Sequence, residues 1–182
     1  MLRDMTTPRE QSLADQMRWV HDILRRDLGT VQELARRVAD GAPPRDLAVG
    51  LQALQSRGPL FQLRVNCLSY CQTLGAHHRN EDTMLFPAVR RAAPQLAATV
   101  DRLEADHLTV AALLSHISGL ANELASHRAR RDLAGALNEL ATSLLAHLEL
   151  EEAALLPLLE SWSTSVDRMP AEIRDELTRR AG

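Results

Sequence analysis

Apolar residues recur at intervals of three and four along most of this chain, the spacing that lines one face of an α-helix. The series Leu13, Met17, Val20, Leu24, Leu28, Val31, Ala35, Val38 predicts a first long helix over about Thr7 to Asp40. Thr7 ahead of Pro8 reads as its start, and Gly41-Ala42-Pro43-Pro44 as its end. A second helix follows Gly58-Pro59, with Leu63, Cys67, Tyr70, Leu74, His77, Glu81 and Met84 on one seam. Pro87 and Pro94 punctuate its end, with a break or kink expected near Phe86. The third, about Gln95 to His127, carries Leu96, Val100, Leu103, His107, Val110, Leu114, Ile117, Ala121 and Leu124. The fourth, about Arg131 to Trp162, carries Leu137, Leu140, Leu144, His147, Glu151, Leu155 and Leu158. Between the first two, Pro43 to Pro59 reads as a linker with a short helical turn around Asp46 to Leu54. Residues 163–182 read as a surface tail with a short helix from Pro170.

Long helices joined by short connections predict an all-α fold, an antiparallel up-down four-helix bundle with a short C-terminal helix. The 182 residues suffice for a single domain, the bundle filling about residues 8–162. An aromatic content of only 3%, with Leu and Ala dominant, favours helix over strand. The net charge of -3 argues against a nucleic-acid partner bound through phosphate neutralisation. No segment approaches a membrane span and the N-terminus lacks a secretory apolar run, so a cytoplasmic protein without a membrane partner is expected. Cys67 and Cys71 stand four apart on one helix face, where a disulfide would constrain almost nothing; reduced core thiols are expected.

The seams are interrupted by polar residues in a repeated way. The stretch from His77 to Pro87 is written again from His147 to Pro157, with a Glu four residues after the His (Glu81, Glu151), an acid next (Asp82, Glu152), and a Pro at the end. Residues four apart lie one turn along the same helix face. Each His-Glu pair therefore aims a nitrogen and an oxygen at one point, a combination suited to Fe, Mn or Zn. His21 and His107 fall alone on the seams of the other two helices. The intervals His21–His77 and His107–His147 differ by about the length of the linker, so the chain reads as a duplicated two-helix unit. Buried imidazoles and carboxylates without partners cost several kcal/mol apiece. A pair of cations would satisfy all of them together; the alternative is a core in which the histidines merely pair with the two glutamates.

The pattern His21, His77-x3-Glu81, His107, His147-x3-Glu151, with Leu/Phe-Pro after each Glu, resembles the hemerythrin-like family, also called the HHE cation-binding domain, over about Gln16 to Pro157. The resemblance implies two non-haem Fe ions with an oxo or hydroxo bridge, Glu81 and Glu151 bridging them and the four histidines as terminal ligands. Zn or Mn would accept the same ligands. The chain departs from the oxygen-carrying members on the third helix, where they offer two histidines four apart and this chain has Ala111 after His107. His78 either supplies the missing nitrogen or is a core or rim residue. Tyr70, almost in line with His77, either reaches a bound ligand or packs. Asp82 and Glu152 either accept from the ligand histidines or are exposed helix acids. His116, His127 and the Arg128, Arg130, Arg131 cluster read as solvent-facing. Fewer protein ligands leave more exchangeable positions, which shifts the expectation from O2 carriage towards catalase-like or peroxidase-like reaction with H2O2, or with O2 or NO. The alternative is an O2-binding or iron-sensing module without turnover.

Overall fold

In the computed structural model Ser12 opens the first helix, α1 (Leu13–Ala39). Its backbone is extended (φ −61°, ψ 159°) and its hydroxyl accepts the Asp15 N–H at 3.1 Å, pairing one of the donors that a helix start leaves free. The start thus falls after the expected Thr7-Pro8. The structure describes residues 12–40, 59–164, 170, 171 and 173–175; Thr7-Pro8 and the turn expected around Asp46 to Leu54 lie outside these.

The second expected helix does not stop at Phe86. It runs as α2 (Pro59–Asn80), one π-helical turn (Glu81–Leu85) and α3 (Phe86–Ala92) without leaving the helical path. The Phe86 N–H bonds the carbonyl of Glu81, five residues back. A proline ring inside a regular helix collides with the preceding turn, and a locally widened turn relieves that collision. The chain leaves the helix only at Ala93 (φ −140°, ψ 71°), passes a 3-10 turn at Pro94–Leu96, and enters α4 (Ala97–Asn122). α4 ends short of the expected His127, and α5 (His127–Thr164) begins there instead of at Arg131. The reason is Ser126, whose hydroxyl accepts the Ala129 N–H at 3.4 Å and starts the new helix. α5 continues through Pro157 with no π turn.

α1 packs on α2 and α5, and α4 packs on α2 and α5, which closes a four-membered ring of helices. Among the described residues there is helix and no strand, and no helix is long and apolar enough to cross a membrane. The interior divides into two apolar clusters. One gathers Leu28, Leu63, Leu74, Ile117, Leu137 and Leu140 with their neighbours; the other gathers Met17, Phe86, Leu103, Leu155, Trp162 and Ile173. Ile173 belongs to the segment expected on the surface, yet it is buried and packs into the second cluster. Cys67 is buried and Cys71 half-buried; both are free thiols, and burial pushes Cys67 up to about 12. Leu137→Ala should cost about 2–5 kcal/mol in urea unfolding, while leaving metal uptake per folded chain unchanged, because Leu137 stands ~15 Å along α5 from His147.

Candidate metal centre

Between the two apolar clusters lies a polar layer. Every polar side chain buried below a tenth of its surface among the described residues belongs to it: His21, His78, Glu81, His107, His147 and Glu151. The helical period puts them there. His21 follows Met17 and precedes Leu24 on the inner face of α1, and His107 stands between Leu103 and Val110 on α4. Glu81 opens the π turn, with His77 and His78 one turn before it on α2. His147 and Glu151 share a face of α5 one turn apart.

The nitrogens and oxygens converge on two points. His21, His77, Glu81 and Glu151 each bring an atom within 4.8 Å of the others, and so do His78, Glu81, His107 and His147. Glu81 belongs to both groups with different oxygens: Oε1 lies 3.0 Å from His77 Nε2, and Oε2 lies 3.6 Å from His107 Nε2. Glu151 Oε2 stands 3.4 Å from His21 Nε2 and 3.7 Å from His147 Nε2, also between the two halves. The His78 ring stacks on His107 with centroids 3.9 Å apart, and Phe86 covers the stack at 5.3 Å from His107. His78 thus lies on the half that Ala111 leaves short of an imidazole.

Apart from a 3.2 Å hydrogen bond between His107 Nε2 and His147 Nε2, most of these atoms are not satisfied by one another. His21 Nε2, His77 Nε2, His78 Nε2, Glu81 Oε2 and both oxygens of Glu151 are buried with no hydrogen-bond partner. Native interiors rarely leave such groups orphaned, and a cation at each convergence point would satisfy them together. Two of the outward nitrogens, in contrast, are held. His21 Nδ1 lies 2.8 Å from Glu152 and His107 Nδ1 lies 2.7 Å from Asp82. A carboxylate on the far nitrogen orients a ring and fixes which nitrogen faces inward, as in most metal-ligating histidines. The acids cross between the repeated units: the one after Glu81 reaches α4, and the one after Glu151 reaches α1.

The electrostatics prepare the same donors. Burial lowers His77 to about 4 and His78 to about 2, and it lowers His147 as well, so these rings are neutral with a lone pair available at neutral pH. Burial, followed by the charge of Glu151, holds Glu81 well above the usual carboxylate range. Burial also pushes Glu151 upward, but the nearby rings of His21, His147 and His77 outweigh it and hold that carboxyl low. Burial, with Glu151 second, thus favours the protonated form of Glu81, a bias that a cation between the two carboxyls would remove.

Two residues of the arrangement escaped the sequence pattern. Asp106 lies 3.8 Å from His147 Nδ1, and Arg25 donates to the same Glu152 oxygen that holds His21, at 2.8 Å. Asp106 carried a faint signal as the neighbour of His107; Arg25, on a solvated edge of α1, carried none. Tyr70 does not reach the layer. Its hydroxyl donates to the Leu24 carbonyl at 3.3 Å, because two helical turns set it ~10 Å from His77 along the axis. His116 and His127 are exposed.

A family model described as the hemerythrin HHE cation binding domain matches residues 12–159, the span that contains the whole polar layer. No curated protein and no solved structure matches the chain.

Removing a ring-holding acid tests whether this geometry serves a metal. Glu152→Ala is expected to weaken metal affinity about 10–100-fold in a competitive chelator titration. Glu160→Ala, which breaks only the exposed Arg18 pair, should leave affinity unchanged.

Proposed function

Because the chain belongs to the hemerythrin HHE cation-binding family, we propose that its polar layer holds two Fe ions joined by an oxo or hydroxo bridge, and that the protein consumes H2O2 in a catalase-like or peroxidase-like reaction. The observation that carries this reading is the set of orphaned buried nitrogens and oxygens that converge on two points. His21 and His77 would hold one ion, and His78, His107 and His147 the other. Glu81 would span them with one oxygen each, and Glu151 would bridge through the oxygen between His21 and His147. Zn or Mn would fit the same donors, but only a redox metal serves a reaction in which one peroxide is oxidised to O2 and another reduced to water.

When bound, the ions supply Lewis-acid and redox chemistry towards a small oxidant. The chain's own residues set the conditions for it. Burial favours neutral rings at His77, His78 and His147, which need lose no proton to present their inward nitrogens, and it favours the protonated form of Glu81, a bias that loading the site would reverse. Glu152 and Asp82 keep the rings of His21 and His107 from turning. Apolar clusters lie above and below the layer, and little of its surface is exposed. With two imidazoles on one half and three on the other, exchangeable positions concentrate on the His21–His77 half, where a ligand of the size of H2O2, O2 or NO would be received.

Metal analysis of iron-loaded protein is expected to return two Fe per chain, with the optical bands of an oxo-bridged ferric pair. The loaded chain should evolve O2 from H2O2 faster than a His107→Ala variant. Equal rates would end the enzyme reading and leave an O2-binding or iron-binding module. Chelation should lower the melting temperature by about 5–10 °C, the shift that a ligand at about a hundred times its Kd confers on a chain of this length.

A further inference from the structure

The two halves of the layer face different surroundings. On the His107 half, His78 and Phe86 flank the ring on either side and fill the adjoining space. On the His21–His77 half, a cavity of about 220 Å3 opens against His77 and Glu81. Its apolar lining comes from four parts of the chain: Met17 and Val20 of α1, Met84 and Leu85 of the π turn, Leu159 of α5, and Ile173 near the C-terminus. Its polar lining residues are His77, Asn80 and Glu81 on the second helix and Gln16 on α1. Glu81 is only 5% exposed, and its Oε2, like His77 Nε2, has no hydrogen-bond partner.

Size and lining decide what such a space accepts. An apolar cavity of about 150 Å3 stays dry and takes up benzene, and water is held in a cavity only where several polar groups surround it. The present cavity is larger than that, opens to solvent on one side, and is mostly apolar in its lining. A peroxide or a diatomic gas would touch little of its wall. A six-carbon ring or a branched alkyl group would fill most of it, each buried CH2 contributing about 0.8 kcal/mol before the cost of immobilising the ligand.

We propose that this cavity binds a small organic molecule with an apolar body and a single hydroxyl or hydroperoxyl head. The body lies against Met17, Val20, Met84, Leu85 and Ile173, and the head lies at the His77–Glu81 end. The assignment of the head rests on the reading above, since there it meets the ion that His77 and Glu81 hold. Ile173 forms part of one wall of the binding site, so it helps to set the shape of ligand the centre admits. The proposal concerns binding and names no turnover of the organic molecule.

The probe is 4-fluorophenol, followed by 19F NMR with the full chain in zinc-loaded and ferrous-loaded forms, alongside azide binding to the ferric form followed optically. Saturable fluorophenol binding is expected, with stronger line broadening in the ferrous-loaded chain because the head lies next to that ion. Val20→Phe and Met84→Phe each fill the cavity from a different wall, and each should weaken fluorophenol binding at least tenfold while azide binding stays within twofold. Circular dichroism identifies a variant that fails to fold, and the wild-type comparison of the two metal forms stands without either variant. Azide binding with no saturable fluorophenol binding would overturn the cavity proposal and leave the metal reading intact. Equal broadening in the two metal forms, or insensitivity to both substitutions, would overturn it as well. A chain that takes up no metal would remove the reading above and the assignment of the head with it.

Discussion

Six ionisable side chains buried at one level of a helical bundle are the constraint from which the rest of this structure follows. An apolar cluster lies on either side of them, and little of their surface is exposed. Inside, burial and then the charge of Glu151 hold Glu81 above the usual carboxylate range, and burial favours the neutral form of His77, His78 and His147. Such a layer gains little by pairing internally, as its many orphaned atoms show. Breaking up a buried charged cluster is costly, and keeping one without full partners is too. The apolar clusters therefore have to hold the helices in register around groups that, without cations, oppose close approach. The same layer makes the register unambiguous. Sliding any one helix by a turn would drive a ring or a carboxylate into an apolar cluster and bring a leucine to the polar level.

The duplicated pattern does not fold into two equal halves. The first copy carries a π turn from Glu81 to Leu85, whereas the second passes its proline, Pro157, in regular helix. His78 stands where the second copy has Leu148, and both are buried. The result is an uneven centre, with three imidazoles around one convergence point and two around the other. The open side of the layer is the side with two. Cross-links between the units compensate for the asymmetry: Asp82 of the first holds His107 of the second, and Glu152 of the second holds His21 of the first. Each half of the site is therefore completed by an acid from the other half of the chain, and neither helix pair would form its half alone.

Much of this was legible before any coordinates. The three-four spacing of leucines marked the helices and their inner faces, and seams broken only by His and Glu marked the level of the site. Both signals are local: a helix face is determined by its own residue spacing, whatever it later packs against. Boundaries were less legible. Ser12 and Ser126 leave no mark in the apolar spacing, and the break or kink expected near Phe86 takes the form of a π turn ending at Leu85, after which the helix runs on to Ala92. Tyr70 shared a face with His77, but angular position says nothing of depth along the axis.

The chain alone, then, determined an all-α fold and a polar layer built from His21, His77, Glu81, His107, His147 and Glu151, because each of these follows from periodicity within one helix. Tertiary packing decided the rest. Whether His78 turned inward, which acid would hold which ring, and where Arg25 and Asp106 would lie depended on how four helices rotate against one another. The docking of Ile173 and the cavity it walls depended on packing too. Contacts between residues far apart in sequence have no period, so they exist only once the helices have met.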